Sequence, residues 1–82
     1  MALRDEIIDI IIQRAYELFG KEPGELSEGT RFVEDLAAKS VNFVQIISVL
    51  EDKYDVELNY MDFRRKKTFG EAADFVMEVV GE

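Results

Sequence analysis

Residues Phe32 to Tyr54, FVEDLAAKSVNFVQIISVLEDKY, decide the fold of this chain. The second part of this segment predicts a helix over residues 40–54, because apolar residues recur at helical spacing at Phe43, Ile47, Leu50 and Tyr54. Val41 and Val44 are expected to widen this stripe. So many β-branched residues make a strand the alternative, but the apolar spacing does not have a period of two. The segment therefore predicts a loop that delivers one hydroxyl, Ser40, to the start of an amphipathic helix as its N-cap.

Three further segments have helical character. Residues 3–19 predict a helix that Gly20 ends as C-cap, with a buried stripe of Ile7, Ile8, Ile11, Ala15, Leu18 and Phe19. Residues 61–65 predict a short helical turn. Thr68 to Glu71 matches a capping box, in which the glutamate reaches back to the backbone of the threonine. It begins a last helix that extends through Val80 and is closed by Gly81, with inward residues Phe69, Ala72, Ala73, Phe75, Val76 and Val79.

The segment 21–39 predicts a long loop, since it has no sustained period and contains Pro23, Gly24 and a Ser-Glu-Gly-Thr turn. Four apolar residues are expected to pin it to the core, namely Leu26, Phe32, Val33 and Leu36. The fold class is therefore all-α: a small bundle of three main helices plus one short helix, with a long loop between the first two main helices. At 82 residues, the chain is expected to form a single domain over 1–82.

The composition excludes several classes of function. The net charge of −8 repels nucleic acid and anionic membranes, and favours basic surfaces of partner proteins. The chain contains neither His nor Cys, so thiol nucleophiles, thiolate metal sites and the commonest general base are absent. Polar residues interrupt the N-terminal isoleucines, and no stretch approaches 18 apolar residues. We therefore expect no signal peptide, no membrane insertion and a cytoplasmic protein.

Ser40 is the most interesting polar residue. A serine at a helix start is usually only a cap, but the positive end of a helix also stabilises an attached phosphate. A catalytic serine is disfavoured, because no His is available as base and the side chain of the adjacent Lys39 is expected to diverge from that of Ser40.

Two charged clusters have simpler interpretations than a site. An acidic stretch resembles a calcium loop only loosely, because it lacks the required glycine, and a solvated helix end is favoured over a metal site; it contains Asp52, Asp55, Glu57 and Asn59. Residues 64–67, Arg-Arg-Lys-Lys, form a basic run. We interpret it as a solvated turn, with a specific protein contact as the alternative and nucleic-acid binding poorly supported.

The segment from Phe32 to Leu36, then Ser40, then Leu50 to Leu58 closely resembles an acyl carrier protein of the fatty-acid and polyketide type. The resemblance covers nearly the whole chain. It implies that Ser40 carries a 4′-phosphopantetheine arm, derived from coenzyme A, whose thiol holds acyl groups as thioesters. It implies a monomer that is modified by a phosphopantetheinyl transferase and serves acyl-transferring or condensing enzymes. The family bundle can shelter an acyl chain, here between Phe32, Val44, Ile47, Leu50, Tyr54, Leu58, Ala72 and Phe75.

The sequence departs from the usual motif of this family, which is Asp-Ser-Leu followed by another acid. Here the serine stands in Lys39-Ser40-Val41-Asn42, and Gln45 replaces a further glutamate. Family members present a small or polar residue where Phe43 stands, and an apolar residue at Lys66. The resemblance implies a partner-docking face of Glu34, Asp35, Lys39, Val41, Asn42, Gln45, Glu51 and Asp52, altered in charge around the serine.

The leading hypothesis is a specialised, free-standing acyl carrier that is a substrate of enzymes and not itself an enzyme. The alternatives are an unmodified carrier-like module that only binds proteins, which Lys39 and Asn42 motivate, and an aminoacyl carrier. The Gly-Gly-His-Ser pattern of peptidyl carriers is absent, since Ala37-Ala-Lys-Ser40 stands in its place.

Overall fold

The computed structural model describes residues 2–81, so the first and last residues of the predicted domain lie outside the described range, and over this range it is helical without a β-strand. The helices are α1 (Leu3–Phe19), α2 (Phe32–Leu36), α3 (Ser40–Tyr54), α4 (Tyr60–Arg64) and α5 (Phe69–Gly81), with a 3₁₀ turn at Pro23–Glu25. The three long helices are α1, α3 and α5. The predicted all-α bundle of three main helices is therefore confirmed.

The boundaries correct the sequence predictions at three places. α2 lies inside the segment that was expected to be loop, α4 begins one residue before the predicted turn, and α5 includes Gly81 instead of ending before it. A helix as short as α2 shows no periodicity in the sequence. Local bonds define its first turn, because the Arg31 N–H donates to Asp35 Oδ2 (2.8 Å) and the Arg31 guanidinium donates to Asp35 Oδ1 (3.0 Å).

The core is built around four phenylalanines from four helices. Their side chains are fully buried, with ring centroids of contacting pairs 4.9–6.4 Å apart, and they are Phe32, Phe43, Phe63 and Phe69. Tilted and edge-on contacts of this kind add to the free energy of burial. α2, α3, α4 and α5 are thus joined through one aromatic cluster.

Helix α1 supplies the aliphatic part of the core. It packs against both α3 and α5, and its fully buried residues are Ile7, Ile11 and Ala15. Gly20 ends α1 as predicted, with φ of 72° and its N–H donating to Tyr16 O (2.9 Å). This left-handed conformation favours glycine, which has no Cβ to clash with the backbone.

The capping box at the start of α5 is partly as predicted. The Glu71 N–H donates to Thr68 Oγ1 (3.1 Å), while Glu71 Oε1 accepts the N–H of Lys67 (3.2 Å) and not that of Thr68. Arg31 and Thr68 lie opposite each other in an isolated antiparallel bridge, in which the Phe32 N–H donates to Lys67 O (3.0 Å) and the Phe69 N–H donates to Thr30 O (3.0 Å).

The predicted stripe of α3 is confirmed at Phe43, Ile47 and Leu50, which are buried, but it widens on the opposite side of the helix from the one predicted. Ile46 is fully buried, whereas Val44 and Val41 are 52% and 58% exposed, so the prediction that these two valines join the buried stripe is wrong. The buried side is the one that faces the two neighbours of α3, namely α1 and α4. Val33, expected to pin the loop, is also exposed, whereas Leu26 is buried and Leu36 half-buried.

We predict that Ile46→Ala lowers the free energy of unfolding by about 2–5 kcal/mol, because it leaves a cavity between α3 and its neighbours. Val44→Ala on the same helix is the control, and should change that free energy by less than about 0.5 kcal/mol. Urea unfolding followed by far-UV circular dichroism measures both. Equal losses in the two variants would contradict the assigned face of α3.

Candidate functional site at the start of helix α3

Ser40 is the first residue of α3 and is exposed to solvent. The residue in the N-cap position is Lys39, with extended backbone angles, so the prediction that Ser40 is the cap is wrong. Asn42, the third residue of the helix, reaches back to this position, because its Oδ1 accepts the N–H of Lys39 (2.9 Å), as the third residue of a capping box does. The Ser40 hydroxyl therefore lies in the first turn without being needed to cap the helix.

A tight turn between α2 and α3 sets the position of Ser40. Ala37 adopts a left-handed conformation (φ 54°, ψ 39°), and its N–H donates to Val33 O (2.9 Å). The next N–H, of Ala38, donates to Phe32 O (3.0 Å), and the Ala38 side chain is buried. The chain that leads into Ser40 is thereby tied to the residue at the centre of the aromatic cluster.

The N-terminus of α3 offers positive potential to an anion. A helix of 15 residues presents the positive end of its dipole and unbonded N–H groups in its first turn. The exposed ammonium-bearing side chain of Lys39 lies next to it in the chain. An exposed hydroxyl at such a place fits a covalently attached phosphodiester.

The predicted docking residues fall into two structural groups. The freely exposed residues are Glu34, Lys39, Val41 and Asp52. Three others form hydrogen bonds within the protein. Asp35 accepts from the Arg31 side chain, and Asn42 accepts the N–H of Lys39 at the start of α3. The side chain of Gln45 accepts from Asn42 Nδ2 (3.4 Å). The role of either group in docking stays a prediction.

Two of the acidic docking residues have structural duties. Glu51 is half-buried, and its Oε2 accepts the N–H of Leu58 (2.8 Å), which closes the connection from α3 to α4. Hydrogen bonds from the side chain and backbone of Arg31 lower the pKa of Asp35 below its ordinary value. Asp35 is thus held as a carboxylate by its own helix.

The residues predicted for a core or acyl cleft do not share one environment. Val44 is exposed and does not belong to the core. The half-buried residues are Tyr54 and Phe75, and the buried ones are Phe32, Ile47, Leu50, Leu58 and Ala72. The hydroxyl of Tyr54 donates to Glu6 Oε1 (2.7 Å), and burial together with this bond raises the pKa of Tyr54. That any of these residues line a cleft for cargo stays a prediction.

The basic run 64–67 is only partly solvated. The guanidinium carbon of Arg64 lies 4.4 Å from the centroid of the Phe43 ring, and Lys66 Nζ lies 5.3 Å from that of Phe75. These are cation–π contacts, which place two of the four cations against the core and leave Arg65 and Lys67 exposed. The interpretation as a solvated turn is therefore wrong for Arg64 and Lys66, and a protein contact by the exposed pair stays a prediction.

Sequence reasoning missed the role of Phe63 and Arg64, which border the first turns of α3 from α4. Only the aromatic character of Phe63 hinted at burial, because a five-residue helix has no stripe to read.

The acidic stretch after α3 is used for chain geometry. Asp55 takes a left-handed conformation at the end of α3, and Asn59 Oδ1 caps α4 by accepting the N–H of Asp62 (3.0 Å). Among residues 2–81, no group of three or more acidic side chains is arranged to hold a metal ion. No described helix is both long and apolar enough to cross a bilayer.

Comparison with known proteins identifies relatives that match nearly the whole chain. The chain is 32% identical to the acyl carrier protein of Sulfurovum sp. strain NBC37-1 over 79 residues, which cover 96% of this chain and 100% of that protein. It is 30% identical to the acyl carrier protein of Chlamydia felis over 82 residues, with both chains covered in full. The acyl carrier protein of Brachyspira hyodysenteriae is 32% identical over 78 residues, or 95% of this chain and 96% of that one. No protein-family profile matches the chain.

The left-handed alanine before Ser40 leads to a prediction. Ala37→Gly should raise the free energy of unfolding by about 0.5–1 kcal/mol, because glycine adopts this conformation without steric cost. The control is Ala38→Gly, which removes a buried methyl group at ordinary φ and should be destabilising by a similar amount. Chemical denaturation of the two variants measures the difference. If Ala37→Gly also destabilised the protein, the turn would not be strained.

Proposed function

Because this chain belongs to the acyl carrier protein family, we propose that it carries acyl groups as thioesters on a 4′-phosphopantetheine arm attached to Ser40. Members of this family are carriers and not enzymes. The cargo would belong to a specialised fatty-acid, lipid or polyketide-type pathway.

One observation supports Ser40 as the attachment site. It is an exposed hydroxyl in the first turn of a long helix, and the N-cap position is taken by Lys39 and not by this serine. The other two serines are less suitable: Ser27 Oγ accepts the N–H of Gly29 (3.2 Å) within a turn, and Ser48 lies in the middle of α3. Only Ser40 combines accessibility with the positive end of a helix.

The attachment reaction needs a partner enzyme. The Ser40 oxygen would attack the β-phosphorus of coenzyme A, forming a new P–O bond while the bond to 3′,5′-adenosine bisphosphate breaks. The serine proton must go to a general base as this bond forms. A phosphopantetheinyl transferase would supply that base and bind the coenzyme.

The surface around Ser40 would contact that transferase and later acyl-transferring or condensing enzymes. Val41 and Val44 are exposed one helical turn apart on α3, so Val44 moves from the predicted interior to this docking surface. Lys39 adds a positive charge in a chain of net charge −8. A mixed apolar and cationic surface favours partners whose complementary patch is not uniformly basic.

Two alternatives remain, and one of them has an observation in its favour. The neutral and cationic residues Asn42 and Lys39 beside Ser40 favour an unmodified carrier-like module that only binds proteins. An aminoacyl group in place of an acyl group stays open as cargo. The cytoplasmic location, the monomeric state and the single domain over 1–82 also stay predictions.

We predict that Ser40 is the only serine that accepts the arm. Wild-type protein incubated with coenzyme A and a broad-range transferase should gain the mass of one phosphopantetheine group, as recorded by intact mass spectrometry. Ser40→Ala should gain none, while Ser48→Ala on the same helix should be modified like wild type. Modification of Ser40→Ala, or of no variant by any transferase that is tried, would refute this assignment and favour the unmodified module.

We predict that Lys39→Asp combined with Asn42→Asp raises the rate of modification by a transferase of the general fatty-acid type. A repulsive exposed contact costs about 1 kcal/mol, so the gain should be roughly fivefold or more. Aspartate at position 42 keeps the oxygen that accepts the Lys39-position N–H, so the start of α3 is preserved.

The initial rate of arm transfer at fixed enzyme concentration measures this effect. Lys21→Asp, an exposed substitution after α1, serves as the charge control and should leave the rate nearly unchanged. An equal rate in wild type and the double variant would show that these two positions do not control docking.

A further inference from the structure

We propose that the interior of this bundle is closed to acyl cargo, and that Phe43 and Phe63 are the residues that close it. The inference rests on the proposed function of Ser40 and specifies its substrate class. A carrier with a filled interior cannot hide a long hydrocarbon chain, so its cargo is a short or polar acyl group that stays outside the helices.

The space nearest the attachment point is filled by aromatic rings. Phe43 lies one turn after Ser40 on α3, and its fully buried ring is 5.1 Å from that of Phe32 and 6.4 Å from that of Phe63, centroid to centroid. Phe63 also lies 5.9 Å from Phe32, so three rings from α2, α3 and α4 contact one another. Rings at these separations are in van der Waals contact, and no methylene chain fits between them.

A cation covers the outer side of these rings. The Arg64 guanidinium carbon lies 4.4 Å from the Phe43 centroid, and the side chain is half-buried. A chain that entered between α3 and α4 from Ser40 would have to displace this charge and then separate the rings. Lys66 lies against Phe75 further along the same segment, which adds a second cation at this edge of the bundle.

The exposed surface beside Ser40 offers an alternative place for a short cargo. Val41 and Val44 lie on the solvent side of α3, away from the aromatic cluster. If the interior is closed, the cargo contacts these two valines and not the phenylalanines.

The test compares protein bearing the bare arm with protein bearing an octanoyl arm, each loaded by a broad-range transferase from coenzyme A or octanoyl-coenzyme A. We expect no rise in the thermal midpoint on octanoylation. With a ¹³C-labelled octanoyl group, we expect nuclear Overhauser contacts to Val41 and Val44 methyls at most. A rise of roughly 4 °C or more with contacts to the Phe43 or Phe63 ring would overturn the proposal, because burial of several methylenes stabilises the fold by that amount.

Variants test the assigned cause. Phe63→Ala opens space in the cluster, so octanoylation should raise its midpoint and give contacts to the Phe32 ring. Phe43→Leu, which removes less volume, is the second variant should Phe63→Ala fail to fold. Val33→Ala, at an exposed position of α2 outside both the aromatic cluster and the docking surface, is the control and should behave like wild type. A folded cavity variant that gained nothing from octanoylation would show that the two rings do not set the restriction.

A version of this experiment that needs no transferase separates the proposal of a closed interior from the proposed function of Ser40. The chain has no cysteine, so Ser40→Cys creates a single thiol that a dodecyl thiosulfonate modifies as a disulfide. We expect the dodecyl group to leave the thermal midpoint of the Ser40→Cys protein unchanged, and to raise it once Phe43→Leu is added. This result supports the closed interior even if Ser40 accepts no arm. A midpoint rise in the Ser40→Cys conjugate alone, with chain contacts to the buried rings, would overturn it.

Discussion

The contact of Phe32 with three other phenylalanine rings is the interaction on which the structure depends. α2 has only five residues and α4 also five, and helices this short are not stable in isolation. Each contributes one fully buried ring to the cluster, Phe32 and Phe63, and thereby gains tertiary packing that replaces helical propensity. α3 and α5 contribute Phe43 and Phe69, so four helices meet at one point while α1 packs alongside α3 and α5.

The backbone around Phe32 transmits this packing to the functional site. The N–H of Phe32 donates to Lys67 O (3.0 Å), and its carbonyl accepts the N–H of Ala38 (3.0 Å). These two bonds fix both the strand-like contact with the segment before α5 and the turn that leads to Ser40. A site built on residues held by the core is positioned more closely than one on a free loop. The left-handed Ala37 is the local cost of that turn.

Among residues 2–81, few of the basic side chains form ion pairs with the more numerous acidic ones. Arg4 bonds to Asp74 (2.7 Å) and Glu28 (3.2 Å), which links α1, the long connection and α5, but its partners are exposed and such pairs contribute little each. Arg64 and Lys66 instead lie over aromatic rings. The acidic side chains near the end of α3 are therefore available for other hydrogen bonds. Glu51 is the example, because it accepts the N–H of Leu58 and so closes the α3–α4 connection.

The sequence by itself determined the three long helices, the glycine that ends α1 and the delivery of Ser40 to a helix start, because each depends on local periodicity or on local chain conformation. It could not determine α2, which is too short for a period, nor that the N-cap position of α3 falls on Lys39, to whose N–H the side chain of Asn42 folds back. It also misjudged the buried face of α3, choosing Val41 and Val44 over Ile46. Both choices satisfy helical spacing, and only the positions of α1 and α4 select between them. The placement of Arg64 on Phe43 was decided by tertiary structure alone, since 21 positions of chain separate two side chains that no local rule brings together.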